Sequence, residues 1–289
     1  MLQWVLHVQN YKLALDKNRC VGCQICSLAC PKEAITLQEQ PRIKGQKARK
    51  AGVDVDLSKC NFCGICDVLC PYAAIRLTTN DEHKLQILEK ESFPTLIRNI
   101  EVDNSKYTVK TETPENPCPL GLITVTRTKP EKTTKKRPKT QVNVLVDKDR
   151  CPCCTICEHT LPQGTVTVHR FLQGKIQINP EKCPPACTDC LDVCPLTRAL
   201  YYSHEDKKVH ADERFCVYCG ACKIVCPVED ALELKRTKIF HTPVSSGAWN
   251  KALERIASTI EMSKELKAKG SQKKVEVVQK LLAPQREKE

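Results

Sequence analysis

Twenty-one of the 289 residues are cysteine, and most of them follow one spacing. Cys20, Cys23, Cys26 and Cys30 run into Pro31; Cys60, Cys63, Cys66 and Cys70 into Pro71; Cys216, Cys219, Cys222 and Cys226 into Pro227. Cys183, Cys187, Cys190 and Cys194, before Pro195, carry one added residue. Three cysteines two residues apart let a single tight loop wrap three corners of a [4Fe–4S] cubane, and the proline stops the short helix that carries the fourth. In such runs the fourth cysteine ligates the other cluster of a pair. The expected sets are therefore Cys20, Cys23 and Cys26 with Cys70; Cys60, Cys63 and Cys66 with Cys30; Cys183, Cys187 and Cys190 with Cys226; and Cys216, Cys219 and Cys222 with Cys194. Zinc knuckles need separated cysteine pairs, not three in a row followed by Cys-Pro.

The stretch from 102 to 162 fits the same pattern with losses. Cys118-Pro119 is followed by Leu122-Ile123-Thr124-Val125, the tail of a unit whose three leading cysteines are missing. Those positions fall on Thr108, Thr111 and Pro114, or begin one residue earlier at Tyr107 after Asp103. The next unit keeps Cys151, Cys154 and Cys157 but ends in Leu161-Pro162 where Cys-Pro is expected. Crossed ligation sorts these losses: one site lacks all four ligands, and the other has Cys118, Cys151, Cys154 and Cys157. Twenty cysteines then serve five [4Fe–4S] clusters. Cys153 is left over and is read as a small buried thiol. The histidines, His159 among them, lie outside the ligand pattern.

These loops need elements to hold them. Four residues before each leading cysteine stands Asp16, Asp56, Asp147, Asn179 or Asp212. Alternating stretches such as Lys12–Leu15, Val53–Val55 and Lys175–Ile178 come before them and read as short strands closed by Asx turns. Ala34-Ile35, Ala74-Ile75, Ala199-Leu200 and Ala231-Leu232 open the return strands. Each unit is strand, cysteine loop, short helix, strand.

Aromatics make up only 4% of the chain, too few to fill a core of this size with rings. No stretch approaches 18 consecutive apolar residues, so no membrane span is expected. The odd cysteine count and the lack of a signal-like start argue against a secreted disulfide framework, leaving a reducing cytoplasm as the expected setting. The net charge of +12 falls to about +2 if five cubanes near −2 are bound, so it gives no reason to expect nucleic acid. Two basic inserts, Arg42–Lys50 and Arg127–Lys139, occupy equivalent places. They read as solvated loops balancing cluster charge, with docking to an acidic partner surface as the alternative. Stacking aromatics beside them are absent, which disfavours RNA. From Ala248 to Ala283 the pattern turns helical: Trp249, Leu253, Ile256 and Ile260 share one face, and Val275, Val278 and Leu282 another after Gly270. This segment is expected to cap the last cysteine unit or to anchor the chain in a larger complex.

The repeated runs identify residues 10–240 as similar to the polyferredoxin group. A narrower resemblance lies in Cys183-Pro184-Pro185-Ala186-Cys187-Thr188-Asp189-Cys190, in Cys216-Val217-Tyr218-Cys219-Gly220-Ala221-Cys222 and in Ser246-Gly247-Ala248-Trp249-Asn250-Lys251-Ala252-Leu253. These resemble the polyferredoxin subunit of archaeal formylmethanofuran dehydrogenase. The resemblance implies an α+β fold of tandem bacterial, clostridial-type 2[4Fe–4S] ferredoxin domains with a helical C-terminal tail. Expected boundaries are 1–90 and 173–240 for two-cluster domains, 91–172 for a degenerate one-cluster domain and 241–289 for the tail. The implied role is electron transfer to or from a redox complex in methanogenesis, where carbon dioxide is reduced on another chain. Implied partners are the complex's other subunits and ferredoxin-like carriers. Alternatives are a polyferredoxin of a hydrogenase, heterodisulfide reductase or formate dehydrogenase, or a free soluble carrier. No catalytic residue is expected: G-x-G-x-x-G, P-loop and flavin fingerprints are all missing.

Overall fold

The computed structural model describes residues 2–5, 9–43, 45–107, 116–128, 141–244 and 246–257. Thr108, Thr111 and Pro114, most of the second basic insert, and Ile260, Val275, Val278 and Leu282 lie outside the described residues.

Short strands and shorter helices alternate in an α+β arrangement. In the first unit these are β1 (Leu2–Val5), β2 (Asn10–Leu15), α1 (Ile25–Ala29), β3 (Ile35–Gln38), β4 (Gly52–Val55), α2 (Ile65–Leu69), β5 (Ile75–Thr79) and α3 (Gln86–Glu89). In the middle are β6 (Asn99–Val102), β7 (Ile123–Thr128), β8 (Gln141–Val146) and β9 (Val166–His169), with single 3₁₀ turns at Asn104–Lys106 and Ile156–His159. The last unit holds β10 (Leu172–Ile178), α4 (Asp189–Val193), β11 (Leu200–Ser203), β12 (Lys208–Ala211), α5 (Ala221–Val225) and β13 (Leu232–Ile239), followed by α6 (Gly247–Ile256).

The pairing is the same three times. The first strand of each unit lies antiparallel to its last, β2 on β5, β6 on β9 and β10 on β13, and the two inner strands pair as β3 on β4, β7 on β8 and β11 on β12. This wraps the return strand of each second half against the leading strand of the first half. Period-2 alternation is visible in β9 and in the first three residues of β5, where every second side chain is buried. The cysteine-bearing helices last barely more than one turn, because Cys30, Cys70, Cys194 and Cys226 leave helical geometry and a proline follows each.

The units are not independent beads. One apolar core joins Ile25 and Ile65 of the first unit to Ile100, Leu122, Val144 and Val168 of the middle one and Trp249 of α6. A second joins Val21 and Tyr72 to Cys154 and Ile156 and to the Leu196, Phe215 and Leu232 side of the last unit.

Two expectations change here. α6 packs on α1 of the first unit instead of capping the last. Trp249, fully enclosed, stands edge-on to Phe93 at 5.4 Å, and Arg255 donates to the Cys30 carbonyl at 3.3 Å. The backbone makes this possible, since Ile97 N–H donates to Phe240 O and Thr242 N–H to Thr95 O, folding the chain end back to the first linker. The first basic insert also finds its acidic partner within the chain: Arg42 pairs with Asp189 at 3.2 Å, and Ala48 N–H donates to Asp192 at 2.9 Å, both on α4.

Candidate iron–sulfur sites

Each cysteine loop starts from the same anchor. Asp16, Asp56, Asp103, Asp147, Asn179 and Asp212 each accept an N–H from two or three residues ahead, at 2.9 to 3.2 Å. Each also donates its own N–H across the unit, to the carbonyls of Ala74, Ala34, Thr165, Leu122, Ala231 and Ala199 respectively, at 2.8 to 2.9 Å. Five of those acceptors stand four or five residues after the fourth cysteine of the opposite half, and Thr165 stands four after Leu161. The bond therefore docks the tail of one half against the loop of the other.

Around the second cysteine the backbone turns left-handed on both sides. Gly22 and Gln24, Phe62 and Gly64, Cys153 and Thr155, and Tyr218 and Gly220 all have positive φ; in the longer loop only Ala186 does. That conformation aims amide protons inward at sulfur. Tyr218 N–H reaches Cys216 Sγ at 3.3 Å and Cys153 N–H reaches Cys151 Sγ at 3.4 Å. Ala34 and Ala74 N–H reach Cys30 and Cys70 Sγ at 3.3 and 3.2 Å. Gly22 is the tightest case, since a Cβ there would come within 2.7 Å of the Ala51 carbonyl.

Three of the expected sets line small cavities with apolar walls: Cys20, Cys23, Cys26 and Cys70; Cys118, Cys151, Cys154 and Cys157; and Cys194, Cys216, Cys219 and Cys222. Burial, then Cys70 and Cys20, push Cys26 up to about 12. Burial is also the first cause that lifts Cys154 and Cys157 to about 12, and both feel Cys118. In the outer set of the first unit, burial and then Cys30 figure in the raised pKa of Cys60 and Cys63. In the outer set of the last unit, burial lifts Cys190 to about 12, with Cys187, Cys183 and Cys226 adding to it. The structure thus brings together all five sets of four thiols. Among the described residues no three His, Cys, Asp or Glu side chains converge as on a single ion; the thiols stand around voids. A buried all-thiolate donor set spread around a cavity fits an iron–sulfur cubane, which replaces the protons those thiols otherwise hold.

In the degenerate half, Tyr107 takes the place of a leading cysteine, four residues after the Asp103 anchor. It is buried, as is Leu161 at the tail. A buried tyrosine and a buried leucine thus stand at two positions where the other halves carry cysteine. Cys153 is buried, and its thiol and amide both face Cys151: hydrogen bonding between the two sulfurs holds Cys153 protonated and draws Cys151 down to about 7.

Four residues at the joints carry no spacing signal in the sequence. Arg98 donates to the carbonyls of Cys70 at 2.9 Å and Cys151 at 2.8 Å. Arg170 reaches Glu213 O, one residue past the Asp212 anchor and three before Cys216, at 2.8 Å, and lies near Thr155 Oγ1. Arg236 holds Tyr218 O, Cys219 O and Ile256 O. Tyr72 donates to Cys219 Sγ at 3.6 Å. The outer and inner sites of each end unit also approach one another: after burial and Cys63, Cys26 raises Cys66, and Cys190 is among the thiols that raise Cys222.

A family model described as a 4Fe-4S dicluster domain matches residues 19–74. A ferredoxin from Methanothermococcus thermolithotrophicus is 36% identical over 61 residues, which cover 97% of it and 21% of this chain. The chain belongs to the 4Fe–4S ferredoxin family. A polyferredoxin-like subunit of aliphatic sulfonate oxidoreductase from Pyrococcus furiosus is 30% identical over 96 residues; the match takes in 29% of this chain and only 53% of that relative's length. Among solved structures, a chain of the formate dehydrogenase–heterodisulfide reductase–formylmethanofuran dehydrogenase complex from Methanospirillum hungatei superposes with a TM-score of 0.75 and 30% identity, covering 89% of this chain and 88% of that one. As a member of this ferredoxin family the chain is an iron–sulfur electron-transfer protein. None of the helices among its described residues is long and apolar enough to cross a membrane.

Proposed function

We propose that the chain is a polyferredoxin subunit of a methanogen redox complex, with three tandem dicluster domains, the middle one reduced to a single site, and five [4Fe–4S] clusters. The complex proposed is formylmethanofuran dehydrogenase, acting in carbon dioxide reduction. The observation that supports this reading is the set of six equivalent anchor bonds, five of which end on carbonyls four or five residues beyond Cys70, Cys30, Cys118, Cys226 and Cys194. Near full-length similarity to a chain of the M. hungatei complex supports assigning the chain to a methanogen redox complex. Bound in these sites, clusters of this type accept and return single electrons at potentials that the surroundings set.

The chain's own residues do the rest. Cysteine thiolates fix the positions, and inward amides donate to the sulfurs and favour the reduced, more negative state. Apolar walls built from Val21, Ile75, Leu122, Val168, Leu196 and Leu234 keep water from the inner sites. The thiols of Cys60, Cys183 and Cys187 are only partly buried, so the outer sites face the surface where electrons are exchanged. Anaerobic purification from the native host tests the reading. Co-elution with a molybdenum or tungsten subunit and about 20 iron atoms per chain is expected. A single chain eluting alone refutes the complex, and hydrogenase or heterodisulfide reductase subunits in its place would reassign it.

A further inference from the structure

The first and last units meet at a joint that the cysteine spacing does not announce. Tyr72 follows Cys70-Pro71 and is enclosed between two thiol-lined cavities, lining both of them. Its hydroxyl points away from its own unit, at Cys219 Sγ, 3.6 Å away. Beside it Arg236, half-buried on β13, turns its guanidinium inward onto the carbonyls of Tyr218 at 2.9 Å, Cys219 at 2.6 Å and Ile256 at 3.0 Å. The backbones come close as well: a Cβ on Gly220 would lie 3.8 Å from the Cys23 carbonyl and 3.1 Å from Arg236 Nη2. Cys23 and Cys219 therefore face one another across a joint that holds one hydroxyl donor and one fixed cation.

We propose that Tyr72 and Arg236 are tuning residues of an electron crossing between the Cys20/Cys23/Cys26/Cys70 site and the Cys194/Cys216/Cys219/Cys222 site. Tyr72 acts on one side of the crossing, through its hydrogen bond to the Cys219 sulfur. Arg236 acts on both, as a positive charge beside Cys23 and Cys219. A hydrogen bond or a cation at a thiolate favours the more negative, reduced state and raises the potential. When the crossing is used, one site loses an electron and the other gains it; no bond or proton changes place. The inference rests on the five-site reading above.

The test is redox titration of the full chain, followed by electron paramagnetic resonance, on the wild type and four variants. Cys23→Ser and Cys219→Ser identify which couples belong to the two sites. Tyr72→Phe keeps the ring and removes only the hydroxyl. It is expected to leave iron content unchanged and to lower the Cys219-marked couple alone, by about tenfold in its equilibrium constant, or about 59 mV for one electron. Arg236→Gln is expected to lower both marked couples together. The proposal is overturned if Tyr72→Phe moves no couple, moves a couple other than the Cys219-marked one, or loses iron. It is also overturned if Arg236→Gln moves one marked couple or neither. Wild-type iron far below about 20 per chain would instead refute the five-site reading, while the Tyr72 comparison still decides the crossing wherever both marked couples are present.

Discussion

Replacing Cys118 by serine separates the crossed geometry from any local one. Cys118 stands 33 positions before Cys151 in a stretch that has lost its other cysteines. Its sulfur nonetheless shares a cavity with Cys151, Cys154 and Cys157. What places it there is backbone: Asp147 N–H donates to Leu122 O at 2.9 Å, four residues beyond Cys118, and Gly121 turns left-handed to aim the tail inward. The site has four thiols and no spare, because Cys153 points its sulfur at the Cys151 carbonyl, 3.8 Å away, and is held protonated. Serine at 118 should therefore cost about four irons of about twenty, or about one if a three-iron centre survives with its own paramagnetic signal. Burial, the first cause of the high pKa of Cys154 and Cys157, persists in the variant. An emptied site would then hold protonated thiols in an apolar pocket, and thermal stability should fall with the iron. Cys153→Ser should leave iron and spectra unchanged. Iron and acid-labile sulfide assays on both anaerobic variants decide the matter: iron retained in Cys118→Ser and lost in Cys153→Ser would refute the reasoning.

Leu161→Ala opens a cavity where a fourth ligand would stand, and should destabilise the chain by about 2–5 kcal/mol in denaturant melts without changing iron content. Trp249→Ala removes a fully enclosed ring packed on Phe93 and His241; a loss of about 3–5 kcal/mol and faster proteolysis after residue 240 are expected, and unchanged proteolysis would contradict the docking of α6 on the first unit. For Cys26, Cys154, Cys157, Cys190, Cys194 and Cys216, burial lifts the thiols from 9.0 to about 12. These raised pKa values stabilise the iron-free fold below pH 9 and are lost as pH rises from 9.0 toward about 12. The iron-free chain should therefore unfold in that alkaline window while the loaded chain does not, and iron uptake should release protons, measurable in weakly buffered titration.

Much of the site was legible in order of residues, because a cubane demands four sulfurs at short, fixed separations and a loop can supply three of them only by tight spacing. The Asx anchors and the alternating strands were legible for the same local reason: each is a matter of neighbours within four or five residues. Whether the missing leading cysteine falls at Tyr107 or Thr108 was not fixed by spacing; the anchor at Asp103 points to Tyr107. What only the tertiary structure decided are contacts between residues far apart in the chain. Arg98, Arg170 and Arg236 bind backbone carbonyls, and a carbonyl carries no residue-type signal. The docking of α6 on α1 joins segments some 220 residues apart, and its apolar face would have served equally well against either end unit. The insert from Arg42 found Asp189 and Asp192 of its own chain because the last unit folds back beside the first, a matter of packing that no local pattern of charge records.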